Sequence, residues 1–144
     1  MKYGIIQDFA QEVAQYKDLA EQGNELAQFK LGECYKNGRG VEQDYAKAIY
    51  WLTRAADGGS STAQCELGLF YYFGTAVAQD YTKAVQWFTK AVGEGNAQAR
   101  YQLGECYYNG HGVDKDIDKA VVLWKRAAEQ GNIEAEQALQ DITN

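Results

Sequence analysis

The chain has 144 residues, which is the length of one ordinary domain. Hydrophobic residues make up 46% of the sequence and charged residues 24%, a balance that argues against disorder and against a membrane protein. The formal net charge of −6 argues against a nucleic-acid partner, which needs a basic stripe, and mildly favours basic partners. No stretch approaches the ~18 apolar residues of a membrane span, so we expect no membrane partner either.

The N-terminal segment, residues 1–23, predicts a helix. Its one early lysine is followed by a charged helical pattern and not by the apolar core of a signal peptide, so we expect a cytoplasmic protein. A periplasmic or secreted protein is the alternative if the chain is a processed piece of a longer one. Asp8 and Gly23 have the same spacing as Asp44 and Gly59 further on, which marks residues 1–23 as an N-terminal capping half-repeat.

Residues 24–131 contain one 36-residue pattern three times, in the units 24–59, 60–95 and 96–131. A period of this length indicates stacked supersecondary units that bury their apolar faces against one another. The recurring positions are Ala27/Ala63/Ala99, Leu31/Leu67/Leu103, Gly32/Gly68/Gly104, Tyr35/Tyr71/Tyr107, Gly38/Gly74/Gly110, Val41/Val77/Val113, Asp44/Asp80/Asp116, Lys47/Lys83/Lys119, Ala48/Ala84/Ala120, Ala55/Ala91/Ala127 and Gly59/Gly95/Gly131.

The first half of each unit predicts a helix. Ala27, Leu31 and Tyr35 follow one another at intervals of four residues, which is typical of an apolar helical stripe. Gly32 has no side chain and would let a partner helix approach closely. Gly38 would end the helix, because glycine adopts the left-handed conformation without a Cβ penalty.

The second half of each unit predicts a second helix, antiparallel to the first. Asp44 is placed to cap its N-terminus, since a carboxylate there accepts bonds from unpaired backbone N–H groups. Lys47 recurs with Asp44, and we assign both a structural role in capping and local pairing. The residues expected to be buried are Tyr45, Ala48, Leu52 and Ala55.

The final segment, residues 132–144, matches the start of a unit, with Ala135 and Leu139 in the apolar stripe. It therefore predicts a C-terminal capping helix, which covers the end of the stack as the N-terminal half-repeat covers its beginning. The sequence thus predicts an all-α fold of about eight helices in a single repeat domain, residues 1–144. Its parts would be 1–23, 24–59, 60–95, 96–131 and 132–144.

The stretch AQFKLGECYKNGRGVEQDYAKAIYW, residues 27–51, resembles the Sel-1-like repeat (SLR), a 36-residue relative of the tetratricopeptide repeat. The resemblance covers nearly the whole chain. It implies a right-handed α/α superhelical solenoid that binds protein partners on its concave side. Two departures stand out: Ala76 replaces a loop glycine, which would change the path of that turn slightly, and Leu123-Trp124 reverses the order of Trp51-Leu52.

Residues that could carry chemistry are few. The three cysteines cannot form a pairwise framework, and we expect free, buried thiols. His111 is the only histidine, has no neighbouring metal-ligand spacing, and is interpreted as a surface loop residue. Ser60 and Ser61 open a helix and are interpreted as capping residues. We therefore expect no metal, no cofactor and no catalytic site.

A row of positions opposite the apolar stripe of the first helix is the candidate binding surface. On a helical wheel at about 100° per residue this row holds positions 26, 29, 33, 36 and 37 of the first unit and their equivalents. The resemblance places the row on the concave side. In the central unit it is the most apolar, because Leu69, Tyr72 and Phe73 occupy it while Phe70 and Tyr71 would face the core.

We interpret the row as a partner site with aromatic anchors and a polar border, as at interface hot spots. Leu69, Tyr72 and Phe73 would be the central anchors. The flanking anchors would be Phe29, Tyr101 and Tyr108, and the polar border Glu33, Lys36 and Glu105. Two alternatives stay open for this row: burial by the solenoid's own curvature, and self-association.

The sequence therefore predicts a non-enzymatic scaffold or adaptor for a protein or peptide partner, from a bacterium, with a regulatory or toxin-immunity role as the specific hypothesis. We expect a monomer, with a homodimer as the alternative. The competing hypotheses are a small-molecule binder or enzyme, such as a β-lactam-binding relative, and a self-associating structural protein. Whether the partner is an extended peptide or a folded surface is left open.

Overall fold

The computed structural model describes the backbone of residues 2–144 and the side chains of residues 9–144. Across residues 2–144 the chain forms eight α-helices and no β-strand, which confirms the predicted all-α repeat fold. The helices are α1 (Lys2–Glu21), α2 (Glu25–Asn37), α3 (Tyr45–Asp57), α4 (Ser61–Phe73), α5 (Tyr81–Gly93), α6 (Ala97–Asn109), α7 (Ile117–Glu129) and α8 (Ile133–Thr143). The chain divides into two compact units, residues 1–63 and 64–144.

The helix starts follow the predicted capping pattern. The Asp44 carboxylate accepts a hydrogen bond from the Lys47 backbone N–H at 3.1 Å, and Asp80 and Asp116 accept the equivalent bonds at 3.0 Å. Each such bond satisfies a backbone donor that has no partner inside the helix. The first helix of each repeat, and the last helix of the chain, are capped in the same way by Asn24, Ser60, Asn96 and Asn132.

Helix α1 differs from the predicted half-repeat at its beginning. It starts at Lys2 and continues without a break through Asp8, the residue whose counterpart Asp44 caps a helix. The first residues of the chain therefore lengthen α1 beyond the second helix of a repeat. The side chain of Asp8 lies outside the described residues.

In residues 1–63, α2 and α3 approach each other closely at Gly32. A Cβ atom at Gly32 would lie 2.8 Å from the Cγ atom of Leu52, so glycine is required there. Val13 of α1, Leu31 of α2 and Trp51 of α3 pack in one buried cluster with neighbouring alanines. Tyr45 was expected in this core and is instead 37% exposed, because it is the first residue of α3 and its hydroxyl lies beside Gln43.

In residues 64–144 the same close approach occurs twice with larger partners. A Cβ atom at Gly68 would overlap the Phe88 ring, and a Cβ atom at Gly104 would lie 2.5 Å from the Trp124 indole nitrogen. The position that faces the glycine thus holds Leu52, Phe88 and Trp124 in successive repeats. In the third repeat the reversed Leu123-Trp124 pair places the larger ring at this position, where its Nε1–H donates to the Tyr101 carbonyl at 3.2 Å.

Ala76 lies in the same left-handed backbone region as its two glycine counterparts. Ala76 has φ 59°, while Gly40 and Gly112 both have φ 75°. The φ of Ala76 thus differs from theirs by 16° (75° minus 59°) and stays in the left-handed region, so the slight change of path stays a prediction. Alanine adopts the left-handed region at a cost in free energy, because its Cβ approaches the following carbonyl oxygen.

Among the described helices, none combines the length and the apolarity that crossing a bilayer requires.

Candidate functional site

The row residues of the first repeat lie beside a pocket in residues 1–63. Phe29 and Glu33 line this pocket, which has a volume of about 390 Å³, together with Arg39 and residues of α1. Lys36 does not line it, but its Nζ lies 3.2 Å from the Glu33 carboxylate. The guanidinium of Arg39 lies 4.3 Å from the centre of the Phe9 ring, a cation–π contact. This pocket therefore contains charges of both signs.

The three central anchors are placed unequally. Phe73 is 64% exposed, although it is an aromatic residue. Leu69 and Tyr72 are half-buried and pack against the core cluster that contains Phe88 and Cys106. Phe73 is thus the anchor with most of its surface open to a partner.

The Phe73 ring rests on a side chain that is itself held in place. Its centre lies 5.0 Å from that of Tyr72, in an edge-to-face arrangement. The Tyr72 hydroxyl lies 2.9 Å from Nδ1 of His111, and the His111 ring stacks on Tyr81 with a centroid distance of 4.2 Å. Burial raises the pKa of Tyr72 to about 12, so the hydroxyl stays protonated at neutral pH.

This arrangement corrects the interpretation of His111 as a surface loop residue. His111 is half-buried, and its ring contacts Tyr72 and Tyr81. The other repeats have Arg39 and Thr75 at this position, so no recurrence in the sequence pointed to the contact. His111 therefore supports Phe73 indirectly, through its contact with Tyr72.

Phe73 stands where the other repeats have an asparagine, Asn37 or Asn109, at the last residue of the helix. In the third repeat the Asn109 amide donates to the backbone carbonyl of Glu105 at 3.0 Å and so satisfies a carbonyl of the last turn. Phenylalanine cannot make this bond and exposes apolar surface instead. The substitution brings the helix no evident stabilisation of its own.

The row residues of the third repeat line a second pocket, in residues 64–144, which we call the α6–α8 pocket. Tyr101, Glu105 and Tyr108 of α6 lie on one side, with Trp124 of α7 below. The pocket has a volume of about 360 Å³, and its other side is lined by Glu134, Gln137, Ala138, Asp141 and Ile142 of α8. Leu69, Tyr72 and Phe73 do not line it.

The carboxylates of the α6–α8 pocket differ in their bonding. Glu134 accepts a hydrogen bond from Gln98 at 3.1 Å, and Asp141 accepts one from Gln137 at 2.9 Å. For the Glu105 carboxylate no hydrogen bond or ion pair occurs among the described side chains. Burial raises the pKa of Glu105, since the charged form loses hydration without gaining a partner.

The contribution of α8 to this pocket was missed, although the repeat contained the signal. Glu134, Gln137 and Asp141 are the counterparts, at the same period, of positions 26, 29 and 33 in the first repeat. The final helix therefore continues the row. The prediction of a capping helix alone did not include these pocket residues.

The three cysteines are free and buried. Cys65 shares the helical position of Phe29 and Tyr101 but is buried in the core cluster, so the row is interrupted there. Burial raises the pKa of Cys65 and of Cys106 to about 12, and also raises that of Cys34. Among the described side chains no group of three or more potential ligands is placed to hold a metal ion.

The Sel1 repeat family model matches residues 25–60, 61–96 and 97–132. Each match begins one residue after the unit that the sequence pattern delimits. A search of curated proteins returned no match.

Three solved structures of similar chains are of bacterial proteins. A Sel1 repeat protein of Oxalobacter formigenes is 41% identical, with a TM-score of 0.81, over 89% of this chain and 96% of its own. A protective antigen present in uropathogenic Escherichia coli strains, which displays an SLR fold, is 39% identical, with a TM-score of 0.81. The match covers 83% of this chain but only 26% of the antigen. Helicobacter pylori cysteine rich protein B is 25% identical with a TM-score of 0.71, over 92% and 96% of the two chains.

Proposed function

Because this chain belongs to the Sel1 repeat family, we propose that it is a non-enzymatic scaffold that binds a protein or peptide partner through Phe73. Sel1 repeat proteins are generally protein-interaction scaffolds. A monomer in the cytoplasm, with a regulatory or toxin-neutralising role, is part of the same proposal.

The observation that carries the proposal is the exposed Phe73 ring at the end of α4. The first and third repeats end this helix with asparagine, so the apolar residue is not required by the fold. An aromatic side chain that is exposed, yet held by a neighbouring ring, loses little conformational freedom when it enters a partner's pocket. Aromatic anchors of this kind contribute most of the binding free energy at interfaces.

The other row residues have supporting roles in this proposal. Leu69 and Tyr72 form the half-buried floor beside Phe73. Tyr101, Tyr108 and Glu105 offer contacts around the α6–α8 pocket. Within residues 1–63, Phe29 beside the Glu33–Lys36 ion pair offers an apolar contact with a polar border.

The test replaces Phe73 by the asparagine that the other repeats have. Wild type and Phe73→Asn are used as bait in extracts of the source cell, the retained protein is identified, and its affinity is measured with purified components. We expect Phe73→Asn to weaken binding by about 30-fold, the loss of a ~2 kcal/mol anchor. Circular dichroism and the melting temperature should not change, because the ring is exposed and Tyr72 is intact.

The matched control is Val122→Ala. Val122 is also apolar and 50% exposed, but it lies on α7 and lines none of the pockets described above. This variant should bind as the wild type does. If the partner is retained equally by Phe73→Asn, Phe73 is not the anchor and the proposal is wrong.

A further inference from the structure

We infer that the α6–α8 pocket binds an arginine or lysine side chain of the partner. This inference rests on the proposed function, because it specifies the chemistry of the segment that a scaffold of this kind would bind. It concerns residues other than Phe73, and it can therefore fail while the proposed function stands.

The size and the walls of the pocket fit one extended side chain. Its volume of about 360 Å³ lies at the lower end of the ~300–1,000 Å³ range of small-ligand sites. The half-buried rings of Tyr101 and Tyr108 supply aromatic surface, and the buried Trp124 ring supports them from behind at 5.3 Å from the Tyr108 ring. Such rings attract a guanidinium or an ammonium group through their negative faces.

The charges of the pocket are of one sign. Glu105, Glu134 and Asp141 line it, and none of its lining residues is basic. Glu134 and Asp141 each accept one bond from a neutral amide, which leaves their charge uncompensated. The wall of the pocket is thus complementary to a cation.

Glu105 lacks the neighbouring cation that its counterpart in the first repeat has. Its counterpart in the first repeat, Glu33, has a cation one turn away, because Lys36 lies 3.2 Å from its carboxylate. In the third repeat Tyr108 occupies the position of Lys36, so none of the side chains of residues 9–144 supplies a cation to Glu105, and an aromatic ring stands there instead. A half-buried carboxylate without a partner costs free energy, which a bound cation recovers. The third repeat therefore has the acceptor half of an ion pair whose donor would come from outside.

In the bound state the cation would pair with Glu105 while its aliphatic stem lies along the tyrosine rings. Arginine suits this site better than lysine, because its planar guanidinium can stack on an aromatic ring while it donates to a carboxylate. Lysine should bind the same pocket more weakly.

The test is a titration of the ¹⁵N-labelled full chain with acetyl-Gly-Gly-Arg-Gly-Gly-amide, followed by NMR at the Trp124 indole N–H. That N–H donates to the Tyr101 carbonyl at the pocket wall, so its signal reports occupancy directly. The indoles of Trp51 and Trp87 serve as internal references. The comparison peptide contains citrulline, which keeps the shape of arginine but is neutral.

We expect the arginine peptide to shift the Trp124 signal with a dissociation constant on the order of millimolar, as one side chain allows. The citrulline peptide should produce no saturable shift. Glu105→Gln should weaken binding of the arginine peptide by about tenfold, the loss of one charge-assisted bond. The control Glu136→Gln removes the same charge from an exposed site on α8 outside the pocket and should leave the affinity within about twofold.

Three results would overturn the inference: no saturable shift at Trp124, equal binding of the citrulline peptide, or unchanged affinity in Glu105→Gln. If any of these occurs while Phe73→Asn still loses the partner, the scaffold function stands and the cation pocket is wrong. If the arginine peptide binds as expected but Phe73→Asn retains the partner, the pocket stands and the Phe73 anchor is wrong.

Discussion

Ala76 is the residue whose backbone conformation fits its side chain least. It is the only residue other than glycine with a positive φ among those described, and its two counterparts are glycines. A side chain in the left-handed region costs roughly 1–2 kcal/mol, part of which is offset because alanine restricts the unfolded chain more than glycine does. The turn therefore holds its conformation against a local preference.

We predict that Ala76→Gly raises the free energy of unfolding by about 0.5–1 kcal/mol, the difference between these two terms. Urea denaturation followed by circular dichroism measures this change. Ala78→Gly, a nearby exposed position without positive φ, should have the opposite sign and destabilise the protein slightly. Equal effects of the two substitutions would show that φ at Ala76 is not the cause.

At the scale of the helices, the stability of a repeat depends on how closely its two helices approach at the glycine of the first. Gly68 faces Phe88, and an added methyl group would overlap the ring. Gly93, in contrast, ends α5 with open space around it. The two glycines thus test packing and helix propensity separately.

Gly68→Ala should lower the free energy of unfolding by about 1–3 kcal/mol, because the buried Phe88 ring must move. Gly93→Ala should instead raise it by up to ~1 kcal/mol, since alanine is the better helix former. Thermal and urea denaturation of both variants give the comparison. Stabilisation by Gly68→Ala would mean that α4 and α5 are not in close contact in solution.

The helices and their ends were predictable because each depends on residues a few positions apart. The Asp44 cap, for instance, reaches only Lys47, and the stripe of Ala27 and Leu31 follows from spacing alone. The contact of Tyr72 with His111 spans 39 positions and involves a residue that does not recur, so spacing could not reveal it. The α6–α8 pocket was not predicted, because its α8 side follows from the sequence only when residues 132–144 are aligned with the first helix of each repeat.

At the scale of the whole molecule, the buried cysteines report on the opening of the two compact units. Cys34 belongs to residues 1–63 and is 8% exposed, while Cys65 and Cys106 belong to residues 64–144 and are 4% and 0% exposed. Burial raises the pKa of all three thiols, so few thiolates exist in the native state at neutral pH. Their modification therefore requires the structure to open.

We predict that Cys34 reacts first with a thiol reagent such as 5,5′-dithiobis(2-nitrobenzoic acid), and that Cys65 and Cys106 react together and more slowly. The reason is that Cys34 is the most accessible of the three thiols, and that the charge of Arg39 opposes the rise of its pKa. Mass spectrometry of the labelled peptides at increasing urea concentrations separates the three sites. Fast labelling of Cys106 under native conditions would contradict the burial described here.

The local capping of every repeat has a consequence for how the gene can change. Each cap and its backbone donor lie three residues apart, so recombination between homologous repeats would delete or duplicate 36 residues while leaving every helix with its own ends. The fold would tolerate such an event far better than its binding chemistry would. The α6–α8 pocket is formed by residues of three consecutive helices, so only descendants that keep those helices in this order would retain it.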